Sequence, residues 1–424
     1  MKLGIVYHMP FWRDQQGVLW ELEGSFARYV DSLAPYFDEI SLCVPEMRNP
    51  PAAGSRIRAA NVRLAPLPFF DGPAQFYPRL PRMAATIVRW ASSVDVLHCR
   101  VPTPAAFLAY VAARAAGTPV FVLVVGDLRA LRPSMTYRGA KKAIWATYTE
   151  LEEWCIRRMI RHALTFANGA ALTRKHDAPA SPVIETKTTT IDAHDLAVRA
   201  DTCAGPAIRL LAVSRIDPRK GLRCLPDAVA RLGSSGYDVS LDIIGPVAGG
   251  AGAAEREAIL ADALRLGVVD RVRCVGALPL DQLLPRYRDY DLFVLPTLPG
   301  EGIPRVLLEA MAAGLPVITT RAGGIASLIA HERNGILLDE SSAPAVSAAV
   351  ARLVDSARLR QQVIRGGYET ARAHTLEAQA ARMMAVVSPW LATKLRDKPP
   401  NDGRGSQRSN AGGAGDVASG AAAS

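Results

Sequence analysis

Short apolar runs alternate along this chain with longer stretches whose apolar residues recur at helical spacing. Residues 3–7, 40–44, 62–67, 94–99 and 120–125 are dominated by apolar side chains. Continuous runs of this kind mark strands covered on both faces, as in a parallel sheet. Between them, 20–33, 83–92 and 104–116 carry helical patterns. A strand at 164–168, one more around 188–191, and a long helical stretch at 138–161 complete the first series. Strand–helix alternation predicts an open parallel sheet with helices on both faces.

A second series begins after residue 205. Strands are predicted at 208–213, 239–244, 272–275, 292–295, 317–320 and 336–338, with helices at 222–232, 255–266, 343–357 and 358–372. Two such series in 424 residues imply an α/β protein of two Rossmann-like domains facing each other across a cleft. The predicted boundaries are 1–195 and 205–376. A last helical stretch, 377–396, should be kinked or broken at Pro389. From 397 to 424, Gly, Ser, Asn, Ala and Pro dominate, the composition of a disordered tail.

The densest chemistry lies in 292–324, LFVLPTLPGEGIPRVLLEAMAAGLPVITTRAGG. Pro296, Pro299 and Gly300 force a loop after the first strand, Pro304 suits a first helical turn, and Gly314 with Pro316 ends the helix. Glu301 falls in the loop, and Glu309 falls about two turns into a helix starting near Pro304. The helix N-terminus between them offers free N–H groups and the positive dipole end to a phosphate. A ligand with hydroxyls at both ends and phosphates between fits this layout, which describes a nucleotide-sugar. Taken alone, the pair also reads as a surface Glu and an ordinary helix Glu over a core of Leu308, Ala310 and Met311.

A second constellation, SRIDPRKG at 214–221, joins a strand to a helix. Arg215 and Lys220 sit five apart and could converge on a diphosphate, Arg chelating oxygens and Lys adding a point charge. Exposed loop cations without a ligand are the plainer reading of those two residues by themselves.

The string EGIPRVLLEAMAAGLPVI, 301–318, resembles the signature of glycosyltransferase family 4, retaining enzymes of the two-domain GT-B fold. The resemblance implies donor-binding roles for Arg215, Lys220, Gly245, Glu301, Gly302, Ile303, Pro304 and Glu309. Arg215 and Lys220 would hold the donor diphosphate, Glu309 the ribose hydroxyls, and Glu301 the transferred sugar. Arg215, Lys220 and Glu301 are the catalytic candidates. Gly245 would let the backbone approach the nucleotide. In this family, retention is thought to proceed on one face, the leaving phosphate taking the acceptor's proton, so no metal or cofactor is expected. The last helix would cross back to the first domain. Acceptors are often glycans or lipid-linked sugars, which implies exopolysaccharide or lipopolysaccharide biosynthesis.

The first domain departs from the family pattern. Its first loop has Gly17 where a Gly-Gly pair is usual, and the strand ending at Val125 leads to Gly126-Asp127 where a His is usual. In the second domain, Ser327 stands where a Glu is common. Asp127 either binds sugar hydroxyls or caps a turn. His98, placed at a strand end, either orients an acceptor or is a satisfied core histidine, and His8 shares those two readings.

Lys and Arg exceed Asp and Glu by ten, 50 against 40. That excess suits nucleotides, diphosphates or an anionic lipid surface, and no motif supports nucleic acid. Six scattered Cys lack metal or disulfide spacing and read as reduced cytosolic thiols. No signal peptide is evident, and 104–125 is too broken to span a membrane. A cytoplasmic location is expected, with the basic, aromatic helix at 138–161 a candidate for peripheral contact with anionic lipid. Two alternatives stay open: a catalytically weakened homologue serving as a nucleotide-sugar-binding scaffold, and a sugar-nucleotide epimerase or hydrolase on the same fold.

Overall fold

The computed structural model describes residues 1–48, 54–70, 72–130, 132, 139–298 and 303–396. The predicted tail therefore lies outside the described residues.

The first sheet runs Val183–Thr186, Leu164–Asn168, Val120–Val124, Val96–Val101, Lys2–Val6, Glu39–Glu46, with Val62–Pro68 also parallel beside Glu39–Glu46. Val96–Val101 and Val120–Val124 are buried at every position, which explains their lack of alternation. Phe11–Arg13 and Leu19–Glu21 form an antiparallel pair that continues the edge. The helical pattern expected from residue 20 therefore starts later, at Ser25–Leu33. The Glu21 carboxylate is buried and accepts the N–H groups of Glu23 at 2.7 Å and Ala27 at 3.2 Å, which fixes the turn between strand and helix. The strand expected around 188–191 is displaced to Val183–Thr186. Beyond it the chain leaves the sheet, with the Thr188 N–H donating to Asn168 Oδ1 at 2.9 Å.

The second sheet is wholly parallel, in the order Val272–Gly276, Asp238–Ile244, Ala207–Val213, Leu292–Leu295, Val317–Thr320, Ile336–Leu338. The chain winds outward from Ala207–Val213 on one side, then returns to its other side at Leu292–Leu295. This switch in winding direction falls at the carboxyl ends of two neighbouring strands, the crevice where ligands bind in such sheets.

The final helix, Leu376–Arg396, is continuous through Pro389, against the expected break. Pro389 and Ala385, whose carbonyl loses its N–H partner there, both face solvent, while Val387 and Leu391 stay buried. Leu376, Ala380, Met383, Met384 and Val387 share one core with Leu3 and Ile5 of the first sheet and Tyr29 of the Ser25–Leu33 helix. The chain thus crosses between the two halves twice, and the crossings touch: Leu376 N–H donates to the Ile191 carbonyl at 2.8 Å.

Among the described residues, no helix is long and apolar enough to cross a membrane. In the helix Gly139–Ile160, Glu152 and Glu153 are buried. Burial pushes the Glu152 carboxyl up to about 7, although the Tyr77 and Tyr148 hydroxyls donate to it. A carboxyl raised from 4.5 to about 7 contributes stability that is full below the lower value and lost as pH rises through the upper one. Glu152→Gln, neutral throughout, should therefore outlast the wild type by about 3 kcal/mol at alkaline pH and show no such margin near pH 4. Urea denaturation across that range measures the difference, and a constant offset between the two proteins would count against it.

Candidate functional site

The second half brings its two motifs together at the sheet's crevice. Ser214 and Arg215 follow the Ala207–Val213 strand, and a tight turn over Pro218–Lys220 comes next. Asp217 starts that turn by accepting the Arg219 N–H at 3.0 Å. It also binds the Arg219 guanidinium through both oxygens, at 2.9 and 2.6 Å. The guanidinium holds the Asp217 carboxyl down to about 2, so Arg219 is committed to its own loop. Lys220 is buried and Arg215 exposed.

The loop after Leu295 is sewn to this basic turn. Leu298 N–H and the Thr297 hydroxyl both donate to the Arg219 carbonyl, at 2.8 and 3.1 Å. Gly221 has φ +65°, and a Cβ there would lie 2.0 Å from the Pro296 carbonyl oxygen, so only glycine permits the contact. At Gly245, φ is +149° and a Cβ would lie 1.9 Å from the Ser214 carbonyl oxygen. The chain's own backbone therefore requires that glycine.

Glu301 and Gly302 lie outside the described residues. Ile303, Pro304 and Arg305 precede a helix that starts only at Val306, Val306–Ala312. Glu309 is thus in its first turn, one turn nearer the start than expected. Its carboxylate is buried, and both oxygens are engaged: the Thr190 hydroxyl donates at 2.5 Å and the Tyr287 hydroxyl at 2.7 Å. Burial, followed by the Glu309 charge, pushes the Tyr287 hydroxyl well above its ordinary range.

Facing Ile303 and Pro304 across a cavity of about 310 Å3 are Tyr7, Phe26, Tyr29 and Arg100 of the first half. Nearby at the crossing, Arg28 is buried and pairs with Asp192, Asp195 and Asp281, the last at 3.5 Å.

The first-half candidates fall elsewhere. The strand bearing His98 continues to Val101, so His98 is internal rather than terminal. Its ring is fully buried, stacks on Phe121 with 4.2 Å between centroids, and lies 2.9 Å from the Tyr29 hydroxyl. Burial pushes it down to about 3. It is a neutral core histidine. Asp127 accepts the Arg129 and Ala130 N–H groups, at 2.9 and 3.3 Å, and pairs with Lys175 at 2.9 Å. Partial burial opposes its ionisation, but Lys175 overrides this and holds it below the usual carboxylate range. It caps a turn. Gly17 is exposed at φ +80°, in the turn between Phe11–Arg13 and Leu19–Glu21. The glycine at the mouth of the cavity is Gly24, also at φ +80°, directly before the Ser25–Leu33 helix. Glu23 and Ser25 beside it line the cavity. His8 sits 3.1 Å from the Thr103 hydroxyl.

Residues 207–356 match the family model "Glycosyl transferases group 1". The similarity to the group 1 glycosyl transferases is confined to this segment of the chain. A D-inositol 3-phosphate glycosyltransferase of Segniliparus rotundus is 33% identical over 190 residues, 45% of this chain and 42% of the relative. An amylovoran biosynthesis glycosyltransferase of Erwinia amylovora is 36% identical over 152 residues, 34% of this chain and 36% of that one. The chain spans about two fifths of these curated relatives' length. The Anabaena protein HepE, solved with UDP and glucose, superposes with a TM-score of 0.65 at 18% identity, over 92% of this chain and 99% of that one. At that identity the likeness concerns the fold, and it extends GT-B to both halves. The motif 301–318 lies inside the matched segment, and the cavity wall of Tyr29 and Arg100 lies outside it.

Proposed function

We propose that the protein is a retaining glycosyltransferase that moves a sugar from a nucleotide-sugar to a glycan or lipid-linked acceptor in exopolysaccharide or lipopolysaccharide biosynthesis. The observation that carries this reading is the joined pair of loops at the crevice of the second sheet. Lys220 and Arg215 stand on one, and the other leads to Ile303, Pro304 and Glu309. The bound UDP and glucose of HepE and the amylovoran biosynthesis named for the Erwinia relative support the donor and the pathway class.

In this scheme Arg215 and Lys220 neutralise charge growing on the leaving diphosphate. Glu309 holds the ribose hydroxyls, Glu301 holds the transferred sugar, and the leaving phosphate takes the acceptor's proton on the same face. No metal enters the steps. A cytoplasmic protein touching the membrane surface through the Gly139–Ile160 helix fits Ile144, Leu151 and Trp154, which are exposed there together with Lys141 and Lys142.

Thermal unfolding with a panel of nucleoside diphosphates tests the donor. The right one, at ~100 times its dissociation constant, should add about 2.7 kcal/mol to folding. Transfer assays with the matching sugar nucleotides follow, and NMR of the first product reports the anomeric configuration. No stabilisation by any nucleotide at millimolar concentration would overturn the donor assignment, and an inverted product would overturn retention.

A further inference from the structure

Among the described residues, Arg100 on the first-half wall of the cleft forms no ion pair, although Glu23 lines the same cavity. Arg100 occupies the penultimate position of the Val96–Val101 strand and is 9% exposed. Its guanidinium carbon lies 4.2 Å from the ring centre of Tyr29, 4.8 Å from Tyr7 and 5.1 Å from Phe26. Ring faces attract the cation, but they supply no acceptor for N–H groups. Nε and Nη1 are buried without any hydrogen-bond partner. A second residue lining the cavity repeats the pattern. Gln379, from the last helix, is 3% exposed and lines the cavity. Its amide N–H donates to the Thr186 hydroxyl at 3.4 Å, and its Oε1 is buried without a partner.

Orphaned donors on a buried cation and an orphaned acceptor on the same cavity are costly unless something else completes them. The cavity, about 310 Å3, is within the size range of small-molecule sites. A guanidinium edge matches the two oxygens of a phosphate or carboxylate, and an amide oxygen matches a hydroxyl.

We infer that this cavity is the acceptor subsite and that it selects an acceptor carrying an oxyanion, phosphate or carboxylate, on a hydroxylated ring. Arg100 receives the oxyanion and Gln379 Oε1 accepts from a ring hydroxyl. The inference rests on the transferase reading above and specifies its acceptor side. The donor's own diphosphate is the other source of such an anion, and it is separable by experiment.

Titration calorimetry on the full chain uses glucose 6-phosphate and glucuronate as anionic probes, glucose as the neutral one, and the stabilising nucleoside diphosphate for the donor. The wild type should bind at least one anionic probe about tenfold or more tighter than glucose. Arg100→Met should erase that margin while leaving nucleotide affinity unchanged. Gln379→Leu should weaken charged and neutral sugars alike. Arg100→Met should also melt no lower than the wild type, because an uncompensated buried charge has been removed. Four results would overturn the inference: a margin that survives Arg100→Met; an equal loss of nucleotide affinity, which would give Arg100 to the donor; a lowered melting temperature, which would make the guanidinium structural; or nucleotide binding by a wild type that ignores every anionic probe. The last leaves the transferase reading intact, whereas anionic sugar binding with no nucleotide binding would do the reverse.

Discussion

Lys220→Ala is expected to lower kcat by about 10²–10³-fold, some 3–4 kcal/mol of transition-state stabilisation. The argument starts from the loop. Arg219, the neighbouring cation, is clamped by both oxygens of Asp217 and is therefore poorly placed to serve a ligand. Lys220 is held at the crevice on a backbone fixed by Gly221 against Pro296 and by Leu298 against the Arg219 carbonyl. A positive charge preplaced in a buried setting stabilises a developing negative one more than the same charge in water. The loss should also appear in binding, with the nucleotide's thermal stabilisation disappearing in the variant. Steady-state kinetics with the melting curve of the unliganded variant as control would decide it. A kcat near the wild-type value in a folded Lys220→Ala protein would remove the residue from the reaction.

Glu309→Ala is expected to cost about 2–5 kcal/mol of folding stability, or roughly 5–15 °C in melting temperature. The carboxylate accepts from Thr190 of the crossing segment and from Tyr287, which is wholly buried. Alanine leaves both hydroxyls without an acceptor, and the cost of unmade hydrogen bonds exceeds the modest net gain from making them. Glu309→Gln keeps the shape and one acceptor oxygen, so its loss should stay nearer 1–2 kcal/mol. Chemical denaturation of the two variants measures the contrast. An alanine variant as stable as the wild type would show that these hydroxyls find water instead. The same carboxylate is the proposed ribose ligand, so Glu309→Gln should weaken nucleotide binding even where it folds well.

The second half was legible because its signals are local. Parallel strands buried on both faces leave unbroken apolar runs, and the glycine and proline stops around Glu309 sit within one strand–helix–strand unit. The partners of Glu309 were not legible: Thr190 is 119 residues away and its contact exists only after folding. In the first half, His98 looked like a strand end because a polar residue interrupts an apolar run. The strand continues through it because the Tyr29 hydroxyl satisfies the ring. Trp20 and Leu22 drew the helix pattern back past its true start, so that Gly17 rather than Gly24 was read as the glycine of the first loop. Arg100 and Gln379 belong to elements almost three hundred residues apart, and no spacing rule joins them. The one available signal was an arginine near the end of a largely apolar strand.

The contact between Leu376 and Ile191 bears on how the cleft opens. Two covalent links placed far apart would brace one half against the other and leave little freedom. Two links side by side instead form a spine, like the binding of a book, with Glu377 accepting the Ala193 N–H alongside at 3.3 Å. Rotation about that line bends few bonds, whereas sliding or twisting the halves would break both links at once. The molecule is thereby left with one soft coordinate, which donor entry, acceptor entry and product release in the proposed transfer would all share.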